Sequence, residues 1–237
     1  MAFKSKSDTS KRLINWNYST PLCSWFGVLC NPNHRVWSLD LVNLSLHGSF
    51  EPLALLDDLL VLNLNGNRLS GPIPNLSNLT RLQILILSHN QLSGDFPITI
   101  TKLYDLQRVD LSYNKLSGEI PWKVNHLTKL LTLKLDVNRF SGSIYFLRLP
   151  NLVEFNVSSN LFSGKVPGSL SSFPESCFSQ NNDLCLKNCD QNISPNLNQH
   201  EREVSTVSVV SGIIGTIIVC FLILYYYLFW NVCFRLC

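Results

Sequence analysis

An α/β right-handed solenoid is the fold class this sequence predicts, with a parallel β-sheet on the concave side, short 3₁₀ or loop returns on the convex side, and one transmembrane helix. Three observations predict it. Gly48, Gly71, Gly94, Gly118, Gly142 and Gly164 recur every 22 to 24 residues and carry the same flanking frame. Within each copy, apolar residues alternate with the period of a strand. Residues 207–230 form an uncharged run of 24 residues, which as a helix would reach about 36 Å against a hydrocarbon core of about 30 Å.

Composition narrows the function. The chain has 237 residues, 46% hydrophobic and 15% charged, with a formal net charge of +3. Its basic residues are scattered, with no run longer than Lys11-Arg12. A nucleic-acid partner is not expected, because phosphate binding needs clustered cations. The abundant Leu, Ile, Val and Phe exclude disorder for most of the chain.

Taken in order, the chain opens on MAFKSKSDTSKRLINW, which has no apolar stretch long enough for a secretory signal. Either a leader is missing or export uses the C-terminal helix. The repeats follow, clearest as LLVLNLNGNRLSGPIP from Leu59, LQILILSHNQLSGDFP from Leu82 and LQRVDLSYNKLSGEIP from Leu106; the copies from Leu130 and Leu152 keep the frame. Leu62/Leu64, Leu85/Leu87, Val109/Leu111 and Leu133/Leu135 point to one side and form the stacked core. Asn67, Asn90, Asn114, Asn138 and Asn160 follow each strand, where an amide donates to and accepts from backbone groups freed at the turn. The first copy has Leu44 in that place. Gly then permits unusual backbone angles, and the prolines at 74, 97, 121 and 167 keep the segment from pairing as an interior strand. Leu76, Leu79 and Leu82, like Val124, Leu127 and Leu130, recur at three-residue spacing and read as a 3₁₀-like return.

Eight cysteines divide by position. Cys23 with Cys30, and Cys185 with Cys189, lie in close pairs at the two ends of the array, where a solenoid must cover its core. They are read as disulfides, with free buried thiols as the alternative; zinc is disfavoured because no His lies near either pair at ligand spacing. Cys177 is left odd, Cys220 lies in the apolar run, and Cys233 and Cys237 beyond it are candidates for palmitoylation. Six Asn-x-Ser/Thr sequons, at Asn17, Asn43, Asn75, Asn78, Asn156 and Asn192, together with paired cysteines favour a secretory chain. In the apolar run, Ser208, Gly212, Thr216 and Cys220 recur every four residues, a small-residue face suited to a helix–helix dimer or simply part of a span.

The repeats resemble the plant-type leucine-rich repeats of receptor-like kinases and receptor-like proteins, whose frame is LxxLxxLxLxxNxLxGxIP. The resemblance covers residues 36–167, about six repeats. The flanks resemble the same family: FKSKSD, LINWN and CSWFGVLC in an N-terminal cap over 1–35, and SFPESCFSQNNDLCLKNC in a C-terminal cap over 168–190. A polar juxtamembrane stalk over 191–206, the transmembrane helix over 207–230 and a short tail over 231–237 complete the domain reading. The pattern is similar to the small-ectodomain branch of the family, with neither its signal peptide nor its kinase.

No chemistry of catalysis stands out. His34, His47, His89, His126 and His200 are dispersed, and phosphate-loop, Gly-x-Ser-x-Gly and kinase signatures are absent from the sequence. The chain is therefore read as non-enzymatic, with no cofactor and no metal. Residues alternating with the core leucines face the concave side and form the candidate binding surface: Arg108, Asp110, Tyr113, Lys134, Asp136 and Glu154, with Tyr113 as anchor. The competing reading is a solvated surface whose opposite charges pair across rungs. Ile84 and Ile86 are either partner contacts or lie under the N-terminal loop.

The expected function is a single-pass plasma-membrane protein whose extracellular repeats bind a peptide ligand or a partner receptor-like kinase ectodomain and which lacks its own kinase. Three alternatives stand beside it: a fragment of a full receptor-like kinase, a cytosolic tail-anchored scaffold, and a polygalacturonase-inhibitor-like wall protein, which leaves the apolar run unexplained.

Overall fold

Leucines that alternate with polar residues become strands because one face can be buried against the next copy. In the computed structural model, which describes residues 1–186 and 189, strands Val36–Asp40, Val61–Asn63, Ile84–Ile86, Arg108–Asp110, Thr132–Lys134 and Glu154–Asn156 pair in that order, all parallel. Leu62, Leu85, Val109, Leu133 and Phe155 stand opposite one another in register. Their side chains, with Leu64, Leu87, Leu111 and Leu135 just beyond the strands, are buried. Strand Val28–Cys30 closes the N-terminal edge antiparallel to Val36–Asp40.

A second sheet corrects the expectation of 3₁₀ and loop returns alone. Strands His47–Gly48, Arg68–Gly71, Gln91–Asp95, Lys115–Glu119, Arg139–Ser143, Leu161–Lys165 and Asp183–Cys185 pair parallel along the side of the solenoid. The prolines do not prevent this pairing, because each strand ends before its Pro is reached. Glycine has a steric role here: Gly118 has φ +75, and a Cβ on it would come within 2.6 Å of the Asp95 carboxylate stacked above.

Short 3₁₀ helices follow at Glu51–Leu55, Ile98–Lys102, Trp122–His126 and Gly168–Leu170. Leu76–Leu82 differs, with separate turns in which Leu79 N–H donates to Leu76 O and Leu82 N–H to Leu79 O, each at 2.9 Å. Four residues separate Pro74 from Leu79, against five between Pro97 and Leu103. The shorter return cannot complete the helix, and the Asn75 side chain accepts Ser77 N–H instead, at 3.0 Å.

The asparagine ladder ties the rungs together. Asn90 Nδ2 donates to the carbonyls of Leu64, Leu87 and Ser88 at 3.0 to 3.1 Å, and its Oδ1 accepts Leu69 N–H at 3.0 Å. Asn114, Asn138 and Asn160 repeat the scheme, and Asn67 reaches back to Leu41 O and to the N–H groups of Leu44 and Leu46. The first copy can therefore carry Leu44, since its freed groups are served from the second. Asn181 adds a rung that the repeat frame did not reveal, accepting Phe162 N–H and donating to Val157 O and Phe178 O.

Both ends are covered. At the N-terminus, helix Ala2–Ser7 buries Phe3 against Trp16, which stacks on Trp25 with centroids 4.9 Å apart. Cys23 and Cys30 are joined in a disulfide, as are Cys185 and Cys189. No helix among the described residues is long and apolar enough to cross a membrane. The predicted span at 207–230, with Ser208, Gly212, Thr216 and Cys220, lies outside the described residues, as do Asn192, Cys233 and Cys237.

Candidate binding surface

Apart from Val36–Asp40, the parallel concave strands are three residues long, each with two outward side chains flanking one buried residue, and of the outward ones Thr132 alone is buried. Val61, Ile84 and Arg108 form one row in register, continued by Thr132 and Glu154; Asn63, Ile86, Asp110, Lys134 and Asn156 form the next. The surface thus changes character along the solenoid, from aliphatic at Val61, Ile84 and Ile86 to charged at Arg108, Asp110, Lys134 and Glu154. Ile84 and Ile86, one in each row, are half-buried.

Of the six residues singled out from sequence, these four strand positions gather as a cluster. Glu154 receives Lys134 Nζ at 3.4 Å and Arg108 at 3.8 Å. Lys134 first, then Arg108, holds the Glu154 carboxyl below its ordinary range, with burial opposing. Asp110 accepts the Ser112 hydroxyl at 2.6 Å and the Ser112 N–H at 3.1 Å. The strand pattern places Ser112 on the solvated face, but it is buried, because the chain turns inward immediately after the strand.

Tyr113 and Asp136 lie beyond the strands, in these turns. Gly66, His89, Tyr113, Val137 and Ser159 occupy equivalent places, all with φ between 53 and 69. This left-handed conformation suits Gly and is strained for a β-branched side chain such as Val137. Tyr113 is 46% exposed and stacks on His89, with centroids 4.2 Å apart and ring planes 14° from parallel. Val137 follows one rung on, 36% exposed. His89, Tyr113 and Val137 therefore form an aromatic and apolar ridge beside the charged cluster, and the His89 contact was missed in sequence because it joins residues 24 apart.

Asp136 is only 8% exposed and contributes little surface. Burial raises its carboxyl above the ordinary range, helped by the charge of Asp110; its own backbone N–H, Lys134 and His89 oppose the rise. Between the unfolded and native values the native state holds more protons, so this residue's contribution to stability falls as pH rises. Asp136→Asn is expected to melt higher than the parent at pH 7, with the advantage shrinking as pH drops through the carboxylate range. A melting-temperature difference that stays constant with pH would contradict this environment for Asp136. Cys177, the free cysteine among the described residues, is half-buried, and burial chiefly, with Asp136's charge, raises its thiol. A hydrogen bond with Ser176 opposes the rise, and the net effect disfavours the thiolate.

The sequons fall on different surfaces. Asn43, Asn75 and Asn78 are exposed. Asn156 is half-buried on the concave face and accepts Ser158 N–H at 3.0 Å, while Asn17 in the cap accepts the N–H groups of Ser19 and Thr20, each at 2.9 Å. Among the described residues no group of three or more His, Cys, Asp or Glu is placed to hold a metal ion.

Comparison with known proteins agrees with this architecture. Leucine-rich-repeat models match residues 58–79, 80–140 and 151–173, and the leucine-rich-repeat N-terminal domain matches residues 1–31. A probable leucine-rich repeat receptor-like protein kinase of Arabidopsis thaliana is 53% identical over 183 residues, covering 77% of this chain and 27% of the relative. The chain spans less than a third of the length of the curated relatives it matches. Among solved structures, the BIR3–SERK2 complex of Arabidopsis thaliana matches with TM-score 0.60 and 33% identity, over 80% of this chain and 96% of that one. The plant peptide hormone receptor RGFR1 in complex with RGF2 matches with TM-score 0.61 and 35% identity, over 63% of this chain and 25% of that one. With leucine-rich-repeat and N-terminal-domain models matching along it and these relatives sharing its sequence and fold, the chain belongs to the plant leucine-rich-repeat receptor-like protein family.

Proposed function

We infer that the repeats are the extracellular, non-catalytic binding part of a plasma-membrane receptor-like protein. A peptide or a partner receptor-like kinase ectodomain is received on the concave side, with residues 207–230 as the single membrane anchor. The observation that carries this reading is the exposed His89–Tyr113–Val137 ridge beside Arg108, Lys134 and Glu154, a rigid aromatic anchor flanked by charge. The peptide-bound and partner-bound relatives support it. The reading concerns the repeats and stands whether or not a kinase follows them in the natural protein.

The cytosolic scaffold is disfavoured by the two disulfides that close the caps, since such bonds persist in oxidising compartments. Expressed in plant cells behind a functional signal peptide, the full chain is expected to lose mass on removal of N-glycans, added at some of Asn17, Asn43, Asn75, Asn78, Asn156 and Asn192. Cys23, Cys30, Cys185 and Cys189 should resist alkylation until reductant is added. No mass change, with all four thiols alkylated at once, would return the scaffold to first place.

A further inference from the structure

The side of the solenoid opposite the concave strands carries an unusual run of side chains over three consecutive rungs. Helix Ile98–Lys102, helix Trp122–His126 and the loop at 145–148 present Ile98, Lys102, Trp122, Lys123, His126, Tyr145 and Arg148 to solvent. Trp122 is 59% exposed and Tyr145 is 55% exposed, although neither contributes to the repeat core. The three segments contain no Asp or Glu. The preceding acids, Asp95 and Glu119, are exposed at the ends of their second-sheet strands, where each carboxylate lies over a glycine of the next rung rather than on the three segments. Lys102 and Lys123 form no ion pair among the described residues, whereas the nearby Lys129 is held by Asp105 at 2.6 Å.

The strip is held in place. Asn125 Nδ2 donates to Phe146 O at 3.0 Å and its Oδ1 accepts Arg148 N–H at 2.7 Å, clamping the loop to the helix before it. The Arg148 guanidinium donates to Tyr145 O and Leu147 O, each at 2.9 Å, and lies 5.8 Å from the Tyr145 ring centroid. His126 meets Trp122 edge-on at 5.3 Å, leaving the indole largely open to solvent. No sequon falls between Thr80 and Phe155, so an N-glycan would not grow from these segments.

We propose that this aromatic and cationic strip binds a linear polyuronide, an anionic polysaccharide of the extracellular matrix. The periodicity favours that occupant. A cation on each successive rung matches a polymer with one carboxylate per sugar, while exposed indole and phenol faces suit the C–H faces of pyranose rings. An acidic peptide would use the cations and leave the aromatic rings without a role. A convex surface also suits an extended chain better than a compact ligand. The proposal rests on the extracellular placement of the repeats and is independent of what the concave face binds.

The test uses the full chain in nanodiscs of neutral lipid, with polygalacturonate as probe and neutral dextran, polyglutamate and phosphatidylserine vesicles as comparisons. Polygalacturonate is expected to bind in preference to all three. Trp122→Ala and the double change Lys102→Ala/Lys123→Ala should each weaken it at least tenfold at unchanged melting temperature. Trp122→Phe, which keeps a stacking ring, should retain most of the binding, and the concave change Tyr113→Ala should leave it intact. Equal binding of polyglutamate with no loss in Trp122→Ala would reduce the strip to a simple polyelectrolyte surface and overturn the proposal. Preferential binding to the anionic vesicles would overturn it in favour of a membrane surface. Failure here with glycans and disulfides intact would leave the receptor reading standing.

Discussion

Asn90→Ala is expected to destabilise the protein by roughly 3 to 5 kcal/mol, because it strands several buried backbone groups at once and each costs about 1 to 3 kcal/mol when left without a partner. The amide serves Leu69 N–H and the carbonyls of Leu64, Leu87 and Ser88, which belong to two adjacent rungs. Its loss therefore weakens the rung and the interface together, and neighbour interfaces dominate the stability of a solenoid. Asn90→Asp should be no better, since it keeps the acceptor but loses every donor and points charge at carbonyl oxygens. The check is urea unfolding followed by circular dichroism, with the exposed Gln91→Ala as a control expected to cost about 0.5 kcal/mol or less. Similar midpoints for Asn90→Ala and Gln91→Ala would show that water or a shifted backbone replaces the ladder.

Leu111→Ala is the second large effect, at about 2 to 5 kcal/mol, the range for a buried leucine cut back to methyl. Leu111 is fully buried in the middle of the stack, with Leu87 and Leu135 in the equivalent places on either side. A cavity there cannot close by moving one rung without disturbing two strand pairings. Ser112, the next residue, is buried as well, so Ser112→Ala is expected to cost about 1 kcal/mol through the lost bond to Asp110. Equal losses at the two positions would place the core in the wrong register.

Much of this was legible in the sequence because the repeat frame is a packing rule written once per rung. The strand-period leucines and the ladder asparagines have no other use at that spacing, and both are found where the period puts them. The second sheet was not legible, because RLSG and KLSGE carry only one buried residue each and owe their pairing to the neighbouring rungs rather than to their own pattern. Asn181 was hidden because the C-terminal cap keeps the amide but loses the leucines that mark the frame. At the candidate surface, charge and strand period identified Arg108, Asp110, Lys134 and Glu154. The burial of Asp136 and the stacking of Tyr113 on His89 depend on a left-handed turn after each strand, which polar alternation does not disclose.

That turn offers the most direct test of the central claim, that the ridge on the concave side is a binding surface. Val137 occupies a left-handed position at φ 54, a conformation that costs a β-branched residue on the order of 1 kcal/mol or more and that asparagine tolerates better. The measurement is the affinity of the full chain for a partner found by screening secreted peptides and receptor-like kinase ectodomains, taken with the melting temperature for the parent, Val137→Asn and Tyr113→Ala. Val137→Asn is expected to melt higher yet bind more weakly, and Tyr113→Ala to lose at least about tenfold in affinity, or about 1.4 kcal/mol, with little change in melting. Parent-like affinity in both variants would contradict this, leaving the ridge a solvated surface and the strain at Val137 without a functional cause.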